Sequence, residues 1–107
     1  MDFWFIECGG CKATLPGLKE LSKKYGRKGL NIVSINSMEF DFPRVKEYIK
    51  KKNKDWINIL DKSHIYRHYM IGAYPTFILI GPERKIILRE IGINGFKKIK
   101  HYLNKVM

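Results

Sequence analysis

Apolar residues fall in short blocks along this chain, and the spacing within each block sets the element it forms. Asp2 to Ile6 is a compact apolar run with three aromatics, which predicts a short buried strand. The run breaks at Cys8-Gly9-Gly10-Cys11. From about Cys11 to Tyr25, the residues Leu15, Leu18, Leu21 and Tyr25 share one face of a helix. Gly26 is a natural C-terminal stop for it. Leu30 to Ile35 is rich in β-branched residues and predicts a second strand.

Asp41 is placed to cap a helix that opens at Phe42-Pro43, with Val45, Tyr48 and Ile49 on its apolar face. That helix fades into Lys50 to Lys54. Trp56 to Leu60 predicts a short extended piece, and Ser63 is placed to cap a brief helix carrying Ile65, Tyr66 and Tyr69. Thr76 to Ile80 is a strand. The five residues Gly81 to Lys85 are too few for a crossover helix, so Ile86 to Ile91 must pair antiparallel with that strand as a hairpin. Asn94 is placed to cap a last helix with Phe96, Ile99, Leu103 and Val106 at helical spacing. The order is βαβ, an insert, then ββα. It predicts an α/β fold with a mixed sheet of four to five strands flanked by helices.

Length and composition narrow this picture. The 107 residues suit one domain, covering 1–107, with one core. Charged residues make up 29%, and no apolar run approaches the roughly 20 residues of a spanning helix, so no membrane span is expected. Met1 is followed at once by Asp2, without a basic leader or cleavage site, so no signal sequence is read. The net charge of +11 invites a nucleic-acid partner. Its lysines are scattered, however, over Lys19, Lys23 and Lys24, then Lys50 to Lys52, then Lys97, Lys98 and Lys100. Each cluster falls on the polar side of a predicted helix, and no nucleic-acid module signature is present. A solvated basic surface is the better reading.

Two cysteines so close together are no disulfide scaffold. A zinc site needs four ligands, and His64, His68 and His101 have no ligand-like spacing to the pair. What remains is a C-x-x-C between a strand and a helix, which reads as redox chemistry. The first cysteine meets the free amides and dipole of the helix N-terminus, which favour the attacking thiolate. The second lies one turn in and closes a ring with the first, so it resolves a mixed disulfide. Cys8 is thus the expected nucleophile, open to a partner, and Cys11 the shielded resolving thiol. Gly9 and Gly10 are expected to let the turn close tightly. The competing reading is a pair of unrelated buried cysteines; the strand-to-helix junction argues against it.

The segment Asp2-Phe3-Trp4-Phe5-Ile6-Glu7-Cys8-Gly9-Gly10-Cys11 resembles the active-site segment of thioredoxins, and more broadly of TlpA/ResA-like thiol-disulfide oxidoreductases. Pro16 sits where that family kinks its active-site helix. Tyr74-Pro75-Thr76-Phe77 resembles the strand whose cis-proline faces the redox pair, and Gly92 before an amphipathic helix resembles the C-terminal end. The stretch from Ser37 to Met70 resembles the TlpA-type insert. The resemblance implies a thioredoxin-like fold and a redox-active Cys8–Cys11 disulfide with no other cofactor and no metal. It implies a substrate-docking role for Gly9, Gly10, Tyr74 and Pro75. Asp2 matches the buried acid that exchanges protons with the resolving cysteine; the alternative is a frayed residue in water.

The departures bear on function. Glu7 stands where thioredoxins carry Trp, which sets a carboxylate beside Cys8 and removes an apolar contact for partners. Gly-Gly replaces the usual Gly-Pro. Two functions follow from different classes. One is a monomeric thiol-disulfide oxidoreductase with protein dithiol or disulfide substrates and an upstream electron donor. The other is a binding module of the same fold with a slow or vestigial redox site. The peroxidase constellations of related folds are absent around Cys8. The resemblance implies an extracytoplasmic setting, in the periplasm or cell envelope.

Overall fold

The structure is a computed structural model that describes residues 1–107. Its nine strands and α-helices follow the expected order. They are β1 (Asp2–Trp4), α1 (Gly9–Tyr25), β2 (Val33–Asn36), α2 (Phe42–Lys51), β3 (Ile57–Leu60), α3 (Ile65–His68), β4 (Thr76–Ile80), β5 (Ile86–Ile91) and α4 (Gly92–Val106). One mixed sheet runs in the order β3-β2-β1-β4-β5. β1 pairs parallel with β2, and β2 with β3; β4 pairs antiparallel with both β1 and β5.

Each face of the sheet is covered because its strands present apolar side chains on both. Leu18, Leu21 and Tyr25 of α1 meet Phe96, Ile99 and Leu103 of α4 over Phe77. The other face gathers Phe3, Ile35, Ile71 and Ile78. Full burial of side chains of this size stabilises the fold by about 2 kcal/mol each. A third cluster holds Trp4, Ile6, Cys8, Cys11 and Val45 at the end of β1. No helix is long and apolar enough to cross a membrane.

Several boundaries differ from the sequence reading. The first strand ends at Trp4, because the Cys8 N–H turns back to the Phe5 carbonyl at 3.3 Å. α1 starts at Gly9 rather than at Cys11, with Cys8 as its N-cap. Asp41 caps α2 as expected, accepting the Arg44 N–H at 3.2 Å. Ser63 does not cap α3. The buried Asp61 does that work, accepting the N–H groups of Ile65 at 2.5 Å and Tyr66 at 3.0 Å. α4 begins at Gly92, whose φ of 76° needs a glycine, so Asn94 lies inside the helix rather than at its cap. Val106, on the expected apolar face, is exposed.

Candidate functional site

The site forms where β1 hands over to α1. Cys8 holds the N-cap position with extended backbone, and its sulfur accepts the Cys11 N–H at 3.1 Å. An acceptor at that point meets an unpaired amide and the positive end of the helix dipole, the environment that favours a thiolate. Cys8 and Cys11 are joined by a disulfide, with Cα atoms 5.2 Å apart. The sequence reading has Cys8 open and Cys11 shielded, whereas the disulfide form buries both, at 5% and 9% exposure. The reason is packing: Phe5, Tyr48 and Tyr74 close around the cluster that holds the two sulfurs. Position at the helix end, not exposure, distinguishes the pair.

The two glycines differ. A methyl group on Gly9 would meet nothing within 4 Å. One on Gly10 would sit 2.9 Å from the Pro75 ring and 4.0 Å from the Tyr74 carbonyl oxygen. Neither glycine has a positive φ, so what Gly10 supplies is room for the 74–75 segment rather than freedom to turn. Gly10, Tyr74 and Pro75 thus come together beside the disulfide, and Gly9 faces open space. The Tyr74–Pro75 peptide is cis. The Tyr74 ring stands edge-on to Phe5 at 5.3 Å.

Asp2 is buried at 3% exposure, not frayed into water. Its carboxylate accepts the Ser34 hydroxyl at 2.8 Å, and that hydroxyl accepts the Trp56 indole N–H at 2.8 Å. Burial pushes the Asp2 carboxyl above the ordinary range, opposed by Lys54 and by the Ser34 hydrogen bond. Lys54 is buried too, 4.0 Å from the Asp2 carboxylate and 3.4 Å from the Trp4 ring centre. Burial lowers its ammonium to about 8, with Asp2 opposing. Asp2, Lys54, Trp4, Tyr48 and Cys11 border one cavity of about 10 Å³, the room of one water.

Sequence reasoning missed Lys54, because it closes a lysine run whose other members are exposed. It also missed Glu39. One oxygen of that carboxylate accepts the Asn36 amide at 2.5 Å and the Ile6 N–H at 3.1 Å, tying the loop after β2 to the redox turn. Glu7 is exposed and pairs with Arg44 of α2 at 2.8 Å. No group of three or more His, Cys, Asp or Glu side chains is arranged to hold a metal ion.

A thioredoxin-like family profile matches residues 1–86. The chain belongs to the thioredoxin-like family. Among curated relatives, the thiol-disulfide oxidoreductase ResA of Bacillus cereus is 29% identical over 107 residues, which is 99% of this chain and 61% of that protein. This thioredoxin-like chain therefore spans about three fifths of the length of the ResA proteins it matches. Among solved structures, a thiol-disulfide oxidoreductase from Bacteroides fragilis superposes with a TM-score of 0.76 at 29% identity, over 94% of this chain and 77% of that one. StoA from Bacillus subtilis superposes with a TM-score of 0.80 at 23% identity, over 95% and 78%. At that identity the likeness to StoA concerns the thioredoxin-like fold alone.

Proposed function

We propose that this chain is a thiol-disulfide oxidoreductase that exchanges disulfides with protein substrates. The observation that carries this is the Cys8 sulfur, bonded to Cys11 and capping α1 through the Cys11 N–H at 3.1 Å. In the reduced protein, the Cys8 thiolate attacks a substrate disulfide. A Cys8–substrate disulfide forms, and the first substrate sulfur leaves as a thiolate that takes a proton. Cys11 then loses its proton and attacks the Cys8 sulfur, which releases the second substrate sulfur. Substrate gains two electrons, and the Cys8–Cys11 disulfide is left for an upstream dithiol donor to reduce. Asp2, with its raised carboxyl and shared cavity with Cys11, is the base for the second step. Gly10, Tyr74 and Pro75 form the floor on which an extended segment docks, with Gly9 at its open rim.

In this reading residues 1–107 act as one monomeric unit, without nucleic acid and without any cofactor beyond the disulfide. Resemblance to TlpA/ResA-like proteins supports an extracytoplasmic setting. A second reading is a binding module of the same fold, favoured by Glu7, a charged residue immediately before Cys8 where thioredoxins carry Trp. Insulin reduction with dithiothreitol separates the two. The oxidoreductase accelerates precipitation of the insulin B chain, and Cys8→Ser abolishes the acceleration. A rate equal to dithiothreitol alone selects the binding module.

A further inference from the structure

The rim of the redox turn has an unusual composition. Its side next to Cys8 carries Glu7, which is held by Arg44 at 2.8 Å and offers a partner no apolar surface. The apolar surface lies instead on the loop between β2 and α2. There Phe40 is 85% exposed and Met38 is 60% exposed. Met38 also has a φ of 63°, in the sparsely populated left-handed region. Residues on either side of this pair are tied down. Ser37 donates its N–H to the Trp4 carbonyl at 2.9 Å, Glu39 holds the Ile6 N–H at 3.1 Å, and Asp41 caps α2. The loop is therefore fixed to the segment that leads into Cys8, while its two large apolar side chains stay in water. Two large apolar side chains this exposed, on a loop bonded to the segment that ends at Cys8, are the apolar contact this side of the turn can offer.

Charge narrows what fits there. The chain carries +11, yet Phe40 is bracketed by Glu39 and Asp41, with Glu7 near the same Arg44. Arg44 pairs with Glu7, and Lys62 stands 5.0 Å from the centre of the neighbouring Phe42 ring, which leaves Glu39 and Asp41 flanking Phe40 without a salt-bridge partner.

We propose that Phe40, with Met38 beside it, grips the polypeptide around a substrate cysteine, and that this segment carries an apolar side chain next to a positive charge. The proposal rests on the oxidoreductase reading and names its substrate class. An apolar residue on that segment covers Phe40, and a neighbouring Lys or Arg meets Glu39 and Asp41.

The test uses two short peptides, each with its one cysteine in a mixed disulfide with the coloured thiol thionitrobenzoate. In one the cysteine is flanked by Leu and Lys, and in the other by Gly and Lys, so the two differ only in the apolar side chain. The protein is reduced with dithiothreitol, the reductant is removed, and a single turnover is followed. Attack by Cys8 on the peptide sulfur releases thionitrobenzoate, and Cys11 then frees the peptide thiol as the Cys8–Cys11 disulfide forms. Rates are divided by the rate with Ellman's reagent, which has no peptide to dock. The parent should prefer the Leu/Lys peptide by about tenfold, and Phe40→Ala should bring the preference to within about twofold. A preference that survives Phe40→Ala, or a parent without one, overturns the docking surface while leaving the redox reading intact. A parent that releases no thionitrobenzoate from any of the three probes overturns the redox reading and the docking surface together.

Discussion

Lys54 holds its ammonium 3.4 Å from the centre of the Trp4 ring, with both residues buried. A cation taken out of water needs compensation, and here the ring face and the Asp2 carboxylate supply it. The compensation is incomplete, since the ammonium titrates at about 8 rather than 10.5. Between those two values the unfolded chain binds more protons than the folded one. Stability attributable to this group therefore rises with pH across that window, by about 3 kcal/mol. Urea unfolding at pH 7, 8.5 and 10 checks this. Lys54→Met should flatten the rise; an equal rise in the variant would place its origin elsewhere.

Asp2 is coupled to the same group. Its charge raises the Lys54 pKa against the effect of burial. Asp2→Asn should therefore move the onset of the stability rise below pH 8. It should also slow release of substrate from the Cys8 mixed disulfide by about tenfold to a hundredfold, as expected when a proton acceptor is lost. Stopped-flow measurement of the second step reads this directly. An unchanged second step would remove Asp2 from the exchange.

The two glycines of the redox turn should respond oppositely. Gly10→Ala drives a methyl group to 2.9 Å from the Pro75 ring, and either helix or loop must shift. A misplaced docking floor should lower kcat/KM with insulin by about tenfold. Gly9→Ala meets open space, and its gain in helix propensity should leave turnover within about twofold. Equal effects would mean that the Gly10–Pro75 contact has no part in exchange.

Glu39 serves two donors with one oxygen. Glu39→Ala leaves the amides of Asn36 and the buried Ile6 unpaired, which should cost about 2 kcal/mol of stability. Glu39→Gln keeps an acceptor and should recover most of that loss. Thermal melts of the three proteins decide, and a Gln variant no better than Ala would show that the charge itself holds the loop.

Much of this architecture is legible in the sequence because local rules and tertiary packing agree. The C-x-x-C after an apolar run, the Asp41 cap and the short Gly81–Lys85 connection each specify their element locally. The misses have physical causes. Asp61 outcompetes Ser63 for the first amides of α3 because its carboxylate, already buried against Ser37, reaches both Ile65 and Tyr66. Gly92 takes the start of α4 from Asn94 because the chain leaves β5 through a positive φ. Lys54 and Glu39 carry no signal of their own. One is a lysine after lysines and the other a loop acid, and only the folding of β2 against β1 gives each its partner. The burial of Cys8 was likewise invisible, because it depends on Phe5 and Tyr74 meeting across the sheet.

The assignment of roles to the two sulfurs is tested most directly by trapping. Cys11→Ser leaves Cys8 able to attack but removes the thiol that resolves. After incubation with a disulfide-containing protein such as insulin, intact mass and peptide mapping should find a covalent adduct on Cys8. Cys8→Ser treated in the same way should give little or none on Cys11. An adduct that forms equally well on Cys11, or on neither variant, would contradict the account.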